Sequence, residues 1–223
     1  MQPASLPQLA HDGRTKSARV VGFLPLSCGM LEENERTNEE DVSMLLILDV
    51  DYTLNRFYPP SIREFAPPEI LDNSNPQLWD WIVDHLSTVE YPVHETAVEV
   101  LQQLNRYDPL VVVSTGRPEA LREVTERWLR QFFQFEHLFM RPTGDFRLNA
   151  DVKREVLTRE IFPLAEGRQI FAFEDDAGSL QMYQESGVHP FVAPDCWEKL
   201  QPYVQEERHP ADLQSILKDF ILF

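Results

Sequence analysis

Two aspartates, Asp49 and Asp51, follow the aliphatic run Leu45–Leu48. A run of this length is too short for a buried helix and is typical of a strand that is covered on both faces of a parallel sheet. In open α/β sheets, ligands bind in the crevice outside the carboxyl ends of the strands. The spacing therefore places both carboxylates where such a protein does its chemistry. A strand followed by an ordinary aspartate-containing turn is the alternative.

A second acidic group, Glu174–Asp176, ends another apolar strand-like run, Gln169–Phe173. Three adjacent carboxylates repel one another, so the cluster is costly unless water or a metal ion compensates its charge. We interpret it as a candidate cation site, with a solvated surface turn as the alternative.

A third apolar run, Leu110–Val113, ends in Ser114-Thr115-Gly116-Arg117-Pro118. Gly116 permits a close approach of the backbone, and Pro118 is predicted to open a helix, whose first amides can bind an anion. These residues are candidates for binding a phosphate, although a generic strand-turn-helix connection would have the same composition.

Lys153 is predicted to lie in the first turn of a helix that Asp151 caps. A cation there opposes the helix dipole, so local stability does not call for it. A functional role is therefore more attractive, with a solvated surface lysine as the alternative.

Strand and helix patterns alternate between these stretches. Helices are predicted at about 94–105 and 118–133, a short strand at about 137–140, an edge strand at 189–192, and two helices at the C-terminus. Right-handed βαβ crossovers bring the ends of such strands to one edge of a sheet. The sequence thus predicts an α/β fold with a doubly wound, Rossmann-like parallel sheet, helices on both faces, and the Leu45–Leu48 strand near the middle.

The stretch from Asp49 to Thr53 resembles motif I, DxDxT, of the haloacid dehalogenase-like (HAD) phosphohydrolases. The other candidates resemble the later motifs in the family's order: Thr115 (or Ser114) motif II, Lys153 (or Arg154) motif III, and Glu174 with Asp175 motif IV. The resemblance covers the chain from Met44 to its end.

The resemblance implies a Mg²⁺-dependent phosphatase. Asp49 would be the nucleophile that forms an aspartyl-phosphate, and Asp51 the general acid and base. Thr115 and Lys153 complete the expected catalytic set, and both would bind the phosphoryl group together with Gly116 and Arg117. The expected metal ligands are Asp49, the backbone carbonyl of Asp51, and Asp175, with Glu174 as a further candidate.

The sequence differs from the usual family pattern in two places. Tyr52 stands where relatives usually have glycine, and its bulk is expected to reshape the entrance or narrow the substrate range. Residues of about 55–90 occupy the place of the family's cap and form a small insertion. One helix is predicted there after Asn75. Its aromatic residues are candidates for stacking on a base, although a core role is more common: Phe57, Tyr58, Trp79 and Trp81.

The stretches Phe139–Pro142, Asp151–Lys153 and Phe173–Asp175 are similar to the phosphatase domain of phage polynucleotide kinase, which implies a nucleotide or polynucleotide 3′-phosphate end as substrate. Arg141 and Arg147, with Arg117, are candidate contacts for a second phosphate. The net charge of -17 argues against an extended nucleic-acid surface and favours a small phosphomonoester. A 5′-nucleotidase or other small-molecule phosphatase, a phosphomutase, and a non-catalytic HAD-fold binding module therefore stay open.

Composition sets the remaining expectations. Residues 1–43 are charge-rich and lack periodicity, so we predict a disordered acidic leader before a phosphatase domain at 44–223; Met44 is an alternative start of translation. A secretion signal fits poorly because the apolar patch before Pro25 is short.

The sequence contains no run of 18 apolar residues, so no membrane span is predicted. The two cysteines, Cys28 and Cys196, lack metal-ligand spacing, which favours a cytoplasmic location.

Overall fold

The structure, a computed structural model, describes residues 43–56, 68–70, 81 and 92–220. The predicted leader lies outside these ranges except for Ser43. Most of the predicted cap also lies outside them, including the predicted helix except Trp81, and the aromatic residues Phe57, Tyr58 and Trp79.

The strands within the described ranges form one parallel sheet of five, in the order β3-β2-β1-β4-β5. Every residue of β1 is buried, as expected for the central strand of a sheet covered on both faces. The predicted parallel sheet, with this strand in the middle and 189–192 at an edge, is confirmed. The strands are β1 (Met44–Leu48), β2 (Leu110–Pro118), β3 (His137–Arg141), β4 (Gln169–Glu174) and β5 (His189–Val192).

Helices cover both faces of the sheet. One hydrophobic core joins the sheet to α1, α2, α5 and α6, and a second core on the opposite face joins it to α3, α4 and the turns after α3. Alternate residues of β1 enter the two cores, Leu46 the first and Ile47 the second, which is the period of a strand. The helices are α1 (Glu95–Leu104), α2 (Arg122–Phe132), α3 (Asn149–Val156), α4 (Ala177–Glu185), α5 (Asp195–Gln205) and α6 (Pro210–Asp219). A π-helical turn, Leu157–Ile161, continues α3 into a short helix, Phe162–Ala165.

Two predicted helix starts are wrong. Pro118 is the last residue of β2, where it pairs with Arg141, and α2 begins only at Arg122 after a 3₁₀ turn. Helix α3 begins at Asn149 rather than after Asp151, because the amide of Asp151 already donates to the carbonyl of Leu148. Lys153 consequently lies in the second turn of α3, and the dipole argument for its function does not hold.

Trp197 of α5 connects the core to the turn that follows β1. Its ring is fully buried and stacks on Phe173 of β4 with a centroid distance of 4.5 Å. Its Nε1 donates a hydrogen bond of 2.9 Å to the carbonyl oxygen of Thr53. The core thus helps to hold the backbone that carries Asp51.

We expect Trp197→Phe to lower the free energy of unfolding by about 2–4 kcal/mol, because the Thr53 carbonyl loses its donor and the smaller ring leaves a cavity. Urea denaturation followed by circular dichroism measures this loss. Tyr203→Phe keeps the ring at a partly exposed position of the same helix, so it is the control and should change stability by less than about 0.5 kcal/mol. A Trp197→Phe value as small as the control value would contradict the prediction.

Candidate active site

The structure brings Asp49, Lys153, Glu174 and Asp175 together at the carboxyl edge of the sheet. Asp49 follows β1, and its amide donates to the carbonyl of Phe173 on the neighbouring β4 at 3.0 Å. Glu174 ends β4 and Asp175 follows it. Lys153 reaches the same place from α3 on one face of the sheet. Segments from three parts of the sequence thus form one site.

Lys153 is the cation of this cluster. Its side chain is buried, and Nζ donates to Asp49 Oδ1 at 2.7 Å and to Glu174 Oε2 at 2.5 Å. Burial alone lowers the pKa of Lys153, but the carboxylates of Asp49 and Glu174 outweigh it and raise this pKa well above its usual value. Lys153 is therefore a permanent ammonium held against Asp49.

The negative charge of the neighbouring carboxylates is larger than the single positive charge of Lys153. Asp49, Glu174 and Asp175 each offer an oxygen, and these three oxygens lie within 4.8 Å of one another. Burial raises the pKa of Asp49 to about 7 despite the opposing effect of Lys153. Burial and the neighbouring Asp49 raise the pKa of Asp175 to about 7. One ammonium among three ionised carboxylates leaves two negative charges, and a hard divalent cation such as Mg²⁺ fits this set of oxygen donors.

The three residues of the acidic run have different environments. Glu174 is buried, and its oxygens accept from Lys153 Nζ and from the backbone amide of Asp176 at 3.1 Å. Asp176 caps α4, where its Oδ2 accepts from the amide and the hydroxyl of Ser179, both at 2.8 Å. Asp175 is partly exposed. Of the three, it is the carboxylate best placed to meet a ligand.

Asp51 is held by a separate set of donors. Arg117 binds its carboxylate with two hydrogen bonds, Nε to Oδ2 at 2.8 Å and Nη2 to Oδ1 at 2.6 Å, and Asn55 Nδ2 donates to Oδ1 at 2.9 Å. Burial by itself raises the pKa of Asp51, but Arg117 and Asn55 lower it below its usual value. Arg117 is itself buried and also donates to Thr125 Oγ1 at 3.2 Å. In this structure the two oxygens of Asp51 face protein donors.

The predicted phosphate-binding turn at the end of β2 is tightly packed. Ser114 and Thr115 are both buried, and Thr115 Oγ1 accepts from the amide of Arg117 at 3.2 Å. A Cβ on Gly116 would come within 2.7 Å of Asn149 Oδ1. A side chain at position 116 would therefore require the Asn149 side chain, on the first residue of α3, to move.

Tyr52 adopts a left-handed backbone conformation, with φ of 64°. This conformation costs a non-glycine residue about 1–2 kcal/mol, which gives a physical reason for the usual glycine at this position. The bulky residue persists here despite that cost, and strained residues of this kind concentrate at functional sites.

Arg141 and Arg147, candidate contacts for a second phosphate, both bind other groups of the protein. Arg141 is buried and donates to the carbonyl oxygens of Gly116, Asp145 and Arg147 and to the side chain of Asn149. Arg147 is half exposed and pairs with the carboxylates of Asp145 and Glu155. Their visible role is to hold the loop between β3 and α3.

Sequence reasoning missed the hydrogen-bond partners of Asp51 and of Arg117. Nothing in the sequence marks Thr125, which meets Arg117 through packing of α2. Asn55 had a weak signal, because an asparagine four residues after an aspartate in a turn is within reach of it. The pairing of Arg117 with Asp51 bridges 66 positions of sequence and depends on side-chain direction.

A family model described as the polynucleotide kinase PNKP phosphatase domain matches residues 74–193, which include Thr115, Lys153 and Asp175 but begin after Asp51. No curated protein matches the chain. Among the described residues, no helix is long and apolar enough to cross a membrane.

Several solved structures resemble the chain at low identity. A chain in a Pnkp1/Rnl/Hen1 complex has 22% identity and a TM-score of 0.48, with 68% of this chain and 46% of that chain covered. A chain in the Pnkp1/Rnl/Hen1 RNA repair complex has 21% identity and a TM-score of 0.49, with 76% and 48% covered. This chain therefore spans less than half the length of either.

A HAD-superfamily hydrolase from Ehrlichia chaffeensis has 13% identity and a TM-score of 0.46, with 76% of this chain and 97% of that chain covered. D,D-heptose 1.7-bisphosphate phosphatase from B. bronchiseptica, complexed with magnesium and phosphate, has 18% identity and a TM-score of 0.41, with 67% and 79% covered. The family model, which spans more than half of the chain, decides the assignment. The chain belongs to the polynucleotide kinase PNKP phosphatase domain family and is a HAD-type phosphatase.

Proposed function

We propose that this phosphatase is a Mg²⁺-dependent phosphomonoester hydrolase that forms an aspartyl-phosphate on Asp49. The observation that carries the proposal is the buried contact of Lys153 Nζ with Asp49 Oδ1, beside Asp175. An ammonium at this position orients the nucleophile and lowers the repulsion between an anionic phosphate and an anionic carboxylate.

Asp51 is proposed as the acid and base of the two chemical steps. While Arg117 holds both of its oxygens, Asp51 is a carboxylate, the form that accepts a proton from water in the second step. The first step needs the protonated form. A bound phosphate offers Arg117 a competing anion, and we propose that Arg117 turns towards it and releases Asp51. Thr115 and the backbone at Gly116 are the proposed contacts for the other phosphoryl oxygens.

The proposed ligands of Mg²⁺ are the carboxylates of Asp49 and Asp175 and the backbone carbonyl of Asp51. When bound, the ion supplies charge compensation between the phosphate and the carboxylates. Glu174, a further candidate from the sequence, already accepts from Lys153 and from the backbone. We therefore propose that it fixes Lys153 and adds negative charge to the site without contributing a ligand atom.

The proposed substrate is a nucleotide or polynucleotide 3′-phosphate end. The family description supports it, and the net charge of -17 agrees with a contact confined to the end of a strand. Phosphate release from nucleoside 3′- and 5′-monophosphates, a sugar phosphate and a 3′-phosphorylated oligonucleotide, with Mg²⁺ and with EDTA, tests the proposal. Mg²⁺-dependent release with preference for 3′-phosphates supports it, whereas a preference for 5′-monophosphates supports the nucleotidase alternative. If no phosphate is released from any of these substrates, the proposed hydrolase activity is contradicted.

We expect Asp175→Asn to raise the Mg²⁺ concentration for half-maximal activity at least about tenfold, because a neutral amide replaces one of the proposed ligands. A Mg²⁺ titration of phosphate release measures the change. Asp176→Asn is the matched control, since it makes the same charge change one residue away and asparagine can still cap α4. Equal Mg²⁺ requirements in the two variants would contradict the assignment of Asp175.

A further inference from the structure

Asn55 gives the carboxylate of Asp51 a second hydrogen-bond donor besides Arg117. Its side chain is buried, Nδ2 donates to Asp51 Oδ1 at 2.9 Å, and its Oδ1 accepts from the backbone amide of Tyr52 at 3.0 Å. A backbone N–H can only donate, so the Tyr52 amide fixes the oxygen of Asn55 on its own side. The NH₂ group must then face Asp51, and the direction of this hydrogen bond follows from the backbone.

The backbone of Asn55 is anchored on two sides. The carbonyl of Val50 accepts from the amides of Leu54 and Asn55 at 2.9 and 3.2 Å, which closes the turn after β1. Asn55 also pairs with Val93 in an isolated antiparallel bridge. Because both ends of the turn are held, the amide of Asn55 has little freedom to leave Asp51.

The two oxygens of Asp51 are therefore not equivalent. Oδ1 faces N–H donors from both Asn55 and Arg117, whereas Oδ2 faces Nε of Arg117. An oxygen that accepts from a fixed N–H group is a poor place for a proton of its own. We infer that Asn55 is a positioning residue that keeps Oδ1 of Asp51 as an acceptor and directs proton exchange to Oδ2.

This inference rests on the proposed function, in which Asp51 gives up a proton in the first chemical step and takes one in the second. In the first step Asp49 forms a bond to phosphorus, the bond from phosphorus to the leaving oxygen breaks, and the proton on Asp51 Oδ2 moves to that oxygen. In the second step the oxygen of water attacks phosphorus, the bond to Asp49 breaks, and a proton of that water moves to Asp51 Oδ2. Asn55 touches no reacting atom and acts through the orientation of Asp51.

Leaving-group dependence separates this role from a merely structural one. A nucleoside 3′-monophosphate releases an alkoxide-like oxygen that needs a proton, whereas p-nitrophenyl phosphate releases an oxygen that is stable as an anion. For Asn55→Ala we expect kcat/KM to fall about tenfold or more with the nucleotide and less than about threefold with p-nitrophenyl phosphate. The value of kcat/KM is the right quantity because it reports the steps up to phosphorylation of Asp49.

A second variant tests the same idea while keeping the hydrogen bond from the Tyr52 amide. Asn55→Asp keeps an acceptor for that amide but presents an oxygen to Asp51 Oδ1, where two carboxyl groups can share a proton, so it should show the same selective loss; its melting temperature should fall because two buried carboxylates repel each other. Asn105→Ala is the matched control, at the end of α1 and away from the site. It should leave the ratio of the two kcat/KM values unchanged.

Asp51→Asn distinguishes the two levels of the argument, since it should show the selective loss if Asp51 is the general acid. A selective loss in Asp51→Asn together with equal losses on both substrates in the Asn55 variants, or with no loss in Asn55→Asp, overturns the inference and leaves the proposed function standing. Absence of phosphate release by the wild type, or equal losses in Asp51→Asn, overturns the proposed role of Asp51 and this inference with it.

Discussion

Asp49→Asn is expected to lower kcat for phosphate release by about 10⁴-fold or more, the scale on which loss of a nucleophile acts. The amide oxygen can still accept from Lys153, so the site keeps its shape while the carboxylate proposed as the nucleophile is removed. Steady-state release from a nucleoside 3′-monophosphate at saturating Mg²⁺ measures the effect. The same preparation should form no acid-stable phosphoprotein with a labelled substrate.

The stability of Asp49→Asn should change in the opposite direction from its activity. Burial and Glu174 both disfavour the ionised form of Asp49, so a neutral side chain there relieves repulsion in the metal-free protein. We expect the melting temperature in EDTA to be equal to or above that of the wild type. Such an exchange of stability for activity is common at catalytic sites.

Asp108→Asn is the control for this variant, because Asp108 is exposed, has a left-handed conformation that asparagine tolerates, and lies outside the site. It should leave kcat unchanged. Residual activity of Asp49→Asn within about a hundredfold of the wild type would contradict an aspartyl-phosphate on Asp49, since removal of a covalent nucleophile cannot leave so much.

The sequence predicts well what depends on strand position. The apolar runs before Asp49 and Glu174 identify buried strands, and parallel strands bring their carboxyl ends to one edge whatever the details of packing. The meeting of these acids with Lys153 could therefore be predicted from the order of the elements. The helix-dipole argument for Lys153 was wrong, because α3 is capped at Leu148, which has no side-chain capping group, and not at Asp151.

What the sequence does not predict depends on the direction of side chains. Arg117 was predicted to bind a phosphate, and nothing in the sequence indicates that its guanidinium also contacts Asp51 and Thr125. The turn at the end of β2 could direct the Arg117 guanidinium towards the site entrance or towards Asp51, and the packing of α2 decides between these directions. Tyr52 shows the converse, since a family pattern marks the position as unusual but only φ of 64° shows why.

Lys153→Met should have the largest effect on stability. Methionine fills a similar space without charge, and it leaves three carboxylates together with no cation in the described part of the site. Removing one partner of a buried ion pair costs about 3–5 kcal/mol. We expect a loss of this size in urea denaturation at about pH 8, above the pKa of about 7 that Asp49 and Asp175 have in the intact site.

Mg²⁺ should then stabilise Lys153→Met more than it stabilises the wild type, because a bound cation has more uncompensated charge to neutralise. Glu174→Gln in the Lys153→Met background removes one of the carboxylates and should recover part of the lost stability, which a double-mutant cycle measures as coupling. Lys199→Met, at an exposed position of α5, is the control and should lose less than about 0.5 kcal/mol. Equal effects of Mg²⁺ on the wild type and on Lys153→Met, with no coupling to Glu174, would mean that Lys153 does not balance the charge of this site.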